Sequence, residues 1–164
     1  AIWPTRTQST GKNSCVSAGA VSSLTARFRF DRFSFLRLQD VKTPQDLETL
    51  LNNKTALQAF RGFLRSEFSE ENLEFWLACE DYRVSPSTLQ KTKAASIYSQ
   101  FINPDAPQEV NLDAETRETL LSTMDSPCAN TFDKAQQGIF SLMAKDSFPR
   151  FLRSHHCMEA IKAF

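Results

Sequence analysis

Apolar residues recur at helical spacing from about residue 44 to the end of the chain. Thr43-Pro44-Gln45-Asp46 places a hydroxyl residue before a proline, an order that starts helices. Thr can cap the free backbone N–H groups, and Pro has the helical φ and no N–H to lose. Leu47, Leu50 and Leu51 then share one face and predict a helix over 44–52. Leu57, Phe60 and Leu64 predict a second over 54–65. Ser69 is the expected N-cap of a third, reaching about 84, with Glu70 and Glu71 complementing the positive end of its dipole. Its apolar stripe is Leu73, Trp76 and Leu77, extended by Cys79 and Tyr82. Ser85-Pro86-Ser87 breaks the pattern. Leu89, Ile97, Phe101 and Ile102 predict a helix over 88–102, ended by Asn103-Pro104 because a residue before proline avoids the helical region. Asp113 is the expected cap of a segment over 114–124. Thr131 is the expected cap of 132–144, with Phe132, Ala135, Ile139, Leu142 and Met143 facing inward. Residues 146–151 and 155–163 predict short final helices. No stretch alternates with β-branched enrichment, so an all-α fold without a sheet is expected.

The first 40 residues read differently and form a separate arm before a domain over 41–164. Residues 1–26 are rich in Ser, Thr, Gly and Ala, show almost no periodicity, and read as disordered. Residues 27–38, RFRFDRFSFLRL, interleave Arg27, Arg29, Arg32 and Arg37 with Phe28, Phe30, Phe33 and Phe35. A lone strand there would have no partner, and a helix would scatter the Phe residues. Phe beside Arg suits a bilayer interface, where rings insert and cations meet anionic headgroups. The plainer reading is a poorly ordered leader with a few residues packed on the domain. Charge sharpens the division. Residues 1–39 hold six Lys/Arg and one Asp, a net of +5, whereas 40–164 carry a net of −5 in a chain that is neutral as a whole. A basic arm on an acidic domain implies an anionic surface for the arm, membrane or nucleic acid.

Candidate chemistry is sparse. Four Gly in the whole chain leave no Gly-rich phosphate loop. His155-His156-Cys157 gathers metal-ligand types, but helical neighbours point apart, so a solvated tail is expected. Glu70, Glu71, Glu74, Glu80 and Asp81 could pair for acid–base work only if burial or crowding raised a pKa; a wet helix face is the expected reading. Phe75 and Trp76 read as core rather than ligand-binding aromatics, and Cys79 as a small buried hydrophobe. Cys15, Cys79, Cys128 and Cys157 form neither a C-x-x-C pair nor a disulfide framework, which favours a reducing, intracellular compartment. The sequon Asn53-Lys54-Thr55 carries little weight without a secretory context. No metal or other cofactor is expected.

Residues 66–83, SEFSEENLEFWLACEDYR, resemble the signature of RGS domains, the regulators of G-protein signalling. EVNLDAETRE at 109–118 and TFDKAQQGIFSLMAKDSFPRFLRS at 131–154 resemble the family's next two motifs, in order. The likeness covers about 41–164 and is closest to the small subfamily with little beyond this domain. It implies a two-lobed bundle of about nine helices. It also implies acceleration of GTP hydrolysis by GTP-bound heterotrimeric Gα subunits, without an active site of its own. Gα supplies its own arginine in cis, and the partner holds the switch loops in their transition-state arrangement. Carried over by motif, the Gα-binding set is Phe68, Ser69, Glu71, Asn72, Asn111, Leu142, Asp146, Ser147 and Arg150. Asp146 would accept from switch-loop N–H groups, or pair with Arg150 merely to shape its loop. Ser69 and Asp146 are the residues usual in members acting on the Gi/o class, and often Gq. The loop after Tyr82 is about one residue short of the usual pattern, and Ala144 stands where an acid is common. A monomer is expected in the cytoplasm, peripheral at the plasma membrane. The alternatives are an RGS-like module that binds without activating and a nucleic-acid-binding arm. The acidic domain argues against nucleic acid, and Asn72, Asn111, Asp146 and Ser147 argue for activity.

Overall fold

In the computed structural model, residues 44–162 are described; the basic arm, with its expected membrane segment, and the cap at Thr43 lie outside them. The helices are α1 (Pro44–Leu51), α2 (Lys54–Ser66), α3 (Glu71–Arg83), α4 (Ser87–Ile97), α5 (Ala114–Thr123), α6 (Asp133–Leu142), α7 (Phe148–Leu152) and α8 (His155–Lys162). A π-helical turn, Tyr98–Ile102, extends α4, and another, Met143–Ser147, joins α6 to α7. No strand occurs among the described residues, so the all-α expectation holds.

Caps set several of these boundaries. The Asn53 side chain accepts from Ala56 N–H at 2.9 Å and opens α2. Asp113 accepts from both the backbone N–H (2.8 Å) and the hydroxyl (2.7 Å) of Thr116 and opens α5. These bonds hold its carboxyl below the usual carboxylate range, the hydroxyl contributing most.

Packing separates two lobes. In the first, α2 lies against α1 and α8, with α7 beside α8. Phe60 meets Phe151 at 5.2 Å and Phe148 at 6.5 Å, both edge-on, and Phe63 meets Phe151 at 5.7 Å. In the second, α3 packs on α4 and α6, with α5 against the first π turn. There Phe75 meets Phe101 at 5.6 Å, and Tyr82 meets Phe132 at 5.0 Å and a right angle. Such ring pairs add about 0.5–1.5 kcal/mol each beyond the area they bury. The continuous run α6–π turn–α7 crosses from one lobe to the other, and one apolar core spans both. The Tyr82 hydroxyl donates to the Cys128 carbonyl at 2.7 Å and ties down the loop before α6. Cys79 lies on the buried face of α3, and burial pushes its thiol pKa up.

The structure corrects several expectations. Ser69 does not cap α3: its hydroxyl turns back to the Leu64 carbonyl, and α3 starts at Glu71. Thr131 does not cap α6; its hydroxyl accepts from Cys128 N–H at 2.8 Å. Leu142, expected to face inward, is 40% exposed, and Leu89, an apolar position of the predicted fourth helix, is 48% exposed. On α3, Phe75 is buried, whereas Trp76 is only half-buried beside Phe140. His155-His156-Cys157 is no solvated tail: Cys157 lies in the core, His156 packs edge-on against Phe63, and only His155 is exposed. The carboxylates of α3 stay open to solvent, as expected, and pair there with cations. Glu74 reaches Arg61, Asp81 reaches Lys93, and Glu80 reaches Arg83. Buried Gln136 joins this network, donating to Glu80 at 2.6 Å and to the Trp76 carbonyl at 3.2 Å.

Candidate protein-binding site

The site begins where α2 ends. The Phe68 N–H donates to the Arg65 carbonyl (3.1 Å) and the Ser69 N–H to the Leu64 carbonyl (3.0 Å). This paired pattern is the Schellman C-cap, which places its central residue in the left-handed region and usually uses glycine there. Here that residue is Phe68, with φ 55° and 95% of its surface exposed. A non-glycine residue in this conformation costs about 1–2 kcal/mol. An exposed aromatic in a strained turn is placed for contact rather than for stability.

Ion pairs hold the turn on both sides. Arg65 donates to Glu70 at 3.0 Å. Arg150 donates to Glu67 through Nε (3.2 Å) and Nη2 (2.8 Å), and its Nη1 bonds Asp146. These bonds, those to Glu67 foremost, raise the Arg150 pKa above its ordinary value. The turn after α2 and the second π turn are thereby fastened together. The N–H of Phe148 reaches the Met143 carbonyl, and the wider spiral brings Met143 and Ser147 into the core while leaving Asp146 outside. Such turns recur at functional positions inside helices.

The third piece is the loop between the first π turn and α5. Gln108 N–H donates to the Gln100 carbonyl (3.1 Å) and Val110 N–H to the Phe101 carbonyl (2.9 Å). Arg117 pairs with Glu109 at 2.9 Å and bonds the Ile102 carbonyl. A shallow cleft lies between Phe68, Glu70 and Glu71 on one side and Pro107, Gln108 and Glu109 on the other. Three loops distant in sequence therefore form one rim.

Most of the expected residues sit on this rim. Asn72 is half-exposed at the second position of α3, and Asn111 is exposed just before Asp113. Neither carboxamide is engaged in a hydrogen bond among the described residues. Glu71 and Ser69 are half-exposed, and Leu142 is open at the end of α6. One oxygen of Asp146 is held by Arg150, and the side chain is 66% exposed. Ser147 differs: it is 5% exposed and supports the π turn from below. Glu67 was missed by sequence reasoning, because its partner lies 83 residues away and no local pattern links them. Among the described residues, no three His, Cys, Asp or Glu side chains converge as metal ligands would.

The helical lobes and the loop rim define a protein-recognition domain. Residues 46–157 match the Regulator of G protein signaling domain, and the chain belongs to the RGS family. It is similar to Regulator of G-protein signaling 21 of Homo sapiens, 52% identical over 111 residues, which are 67% of this chain and 73% of that protein. It is 50% identical over 111 residues to Regulator of G-protein signaling 1 of Equus caballus, over 68% of this chain and 57% of the relative. Regulator of G-protein signaling 5 of Sus scrofa is 50% identical over 117 residues, 71% of this chain and 65% of that protein. The match thus spans from little more than half to about three quarters of these relatives.

Proposed function

We propose that the domain accelerates GTP hydrolysis by GTP-bound heterotrimeric Gα subunits, and so attenuates signalling by the receptors that load them. The observation that carries this reading is the rim itself. The unengaged carboxamides of Asn72, in the first turn of α3, and of Asn111, with the outward carboxylate of Asp146, stand on one braced rim of an RGS-family chain. A carboxamide donates and accepts without titrating, so Asn72 can orient the Gln of Gα and the attacking water without taking a proton. Asp146 can accept from switch-loop N–H groups through the oxygen that Arg150 does not hold. The protein supplies no reacting group. Its contribution is positioning and tighter binding of the transition state than of the ground state. Ser69 and Asp146 favour the Gi/o class and admit Gq. The domain acts as a monomer in the cytoplasm, with the basic arm holding it at the anionic face of the plasma membrane.

The test is single-turnover GTP hydrolysis by a Gαi-class subunit with and without the chain. At least a tenfold acceleration is expected, equivalent to about 1.4 kcal/mol of added transition-state stabilisation. Binding to the transition-state-mimic form without acceleration would instead define a binding-only module. Absence of binding to every Gα class would overturn the reading.

A further inference from the structure

Glu67 lies outside the set of side chains that the motifs bring to Gα, yet its carboxylate accepts side-on from Nε and Nη2 of Arg150, at 3.2 and 2.8 Å. The pair is the planar, bidentate form that fixes direction as well as distance. The third arm of the same guanidinium holds Asp146. Glu67 is also the C-cap of α2 and the residue immediately before the strained Phe68. One arginine thus joins the turn that presents Phe68 and leads into Asn72 to the π turn that presents Asp146.

We propose that Glu67 is a positioning residue for GTPase activation: through Arg150 it locks the two loops at a fixed spacing, so that one partner surface meets both. The inference rests on the proposed activation of Gα. The side chains of Glu67 and Arg150 are 31% and 41% exposed. Ion pairs so open to solvent contribute little to folding. Their geometry matters more: loops already held at the spacing a partner needs have less freedom to lose on binding, so losing the lock costs affinity rather than maximal rate. The strain at Phe68 adds to the need, since a left-handed Phe relaxes unless its neighbours are held.

The experiment titrates the full chain against a Gαi-class subunit in single-turnover hydrolysis and reads the half-saturating concentration and the maximal rate separately. Glu67→Ala is expected to raise the half-saturating concentration about tenfold, with the maximal rate within about twofold and a melting shift of only a few degrees. Glu67→Gln keeps an acceptor without the charge and is expected to fall between. Combined with Arg150→Ala, Glu67→Ala is expected to add little further loss, because Glu67 reaches the second loop only through Arg150. An active wild type with an indifferent Glu67→Ala overturns the inference alone. So does a double variant whose losses multiply, since Glu67 would then act independently of Arg150. Should Glu67→Ala unfold, a Glu67→Gln variant that folds and titrates as wild type has the same force. Failure of the wild type itself to accelerate hydrolysis overturns the function, and this role falls with it.

Discussion

Phe68 occupies a position where glycine would be easier, and the consequence can be measured. Phe68→Gly removes the left-handed penalty and is expected to stabilise the domain by up to about 1 kcal/mol, a rise of about 4 °C in Tm. The same change removes an exposed ring from the rim and is expected to weaken Gα activation at least tenfold. A lower Tm would show that the turn is not strained. Asn72 gives the complementary case. Its carboxamide makes no hydrogen bond among the described residues, and Ala is well suited to a helix. Asn72→Ala is therefore expected to abolish most activation while melting almost unchanged; full activation by the variant would end the positioning role. Asn72 was legible only through its motif, since periodicity alone marks it as a first-turn residue. Glu67 was not legible at all, because its meaning depends on Arg150, which only the folded chain brings near.

At the scale of elements, helix extents were legible to within a few residues because burial follows a 3.6-residue period. Caps were less so. Ser, Thr, Asn and Asp favour both caps and turns, and the sequence does not say which. The Ser69 backbone is spent on the Schellman turn, so its hydroxyl is not free to open α3. The π turn was also hidden. Its wider spiral changes the register just after Leu142, which is left outside while Met143 goes in. Where a cap does form, its effects can be predicted. Asn53→Ala is expected to cost about 1 kcal/mol, or about 4 °C in Tm, without changing activation. Asp113 adds a pH dependence. Its carboxyl titrates lower in the folded than in the unfolded chain. Its stabilisation is therefore complete above the unfolded value of about 3.9 and fades as pH falls through the folded one. Asp113→Asn keeps an acceptor and is expected to match wild type near neutrality while losing less on acidification. Tm measured from about pH 6 down to about pH 2.5 tests this; identical acid limbs would refute it.

Across the whole chain, charge is divided between two parts. The helical domain carries the rim, its core and a net of −5, while residues 1–39 carry a net of +5. An acidic domain alone is repelled by anionic lipid, so any attraction must come from the arm. A basic residue near such a surface contributes about 1 kcal/mol, screened over about 8–10 Å at moderate salt. Five net charges can thus contribute several kcal/mol at low salt and far less at high salt. Deleting 1–39 is expected to lower binding to phosphatidylserine vesicles at least tenfold, with the gap closing at about 0.5 M salt. Binding that survives salt would belong to Phe28, Phe30, Phe33 and Phe35, whose insertion does not depend on charge. In solution the deleted form is expected to activate Gα as the full chain does, because every rim residue lies at or beyond Glu67. On vesicles carrying Gα it is expected to lag, because only the full chain is concentrated at the surface. Equal vesicle binding by the two forms would remove the membrane role from the arm. A loss of activation in free solution would instead make the arm part of the recognition surface.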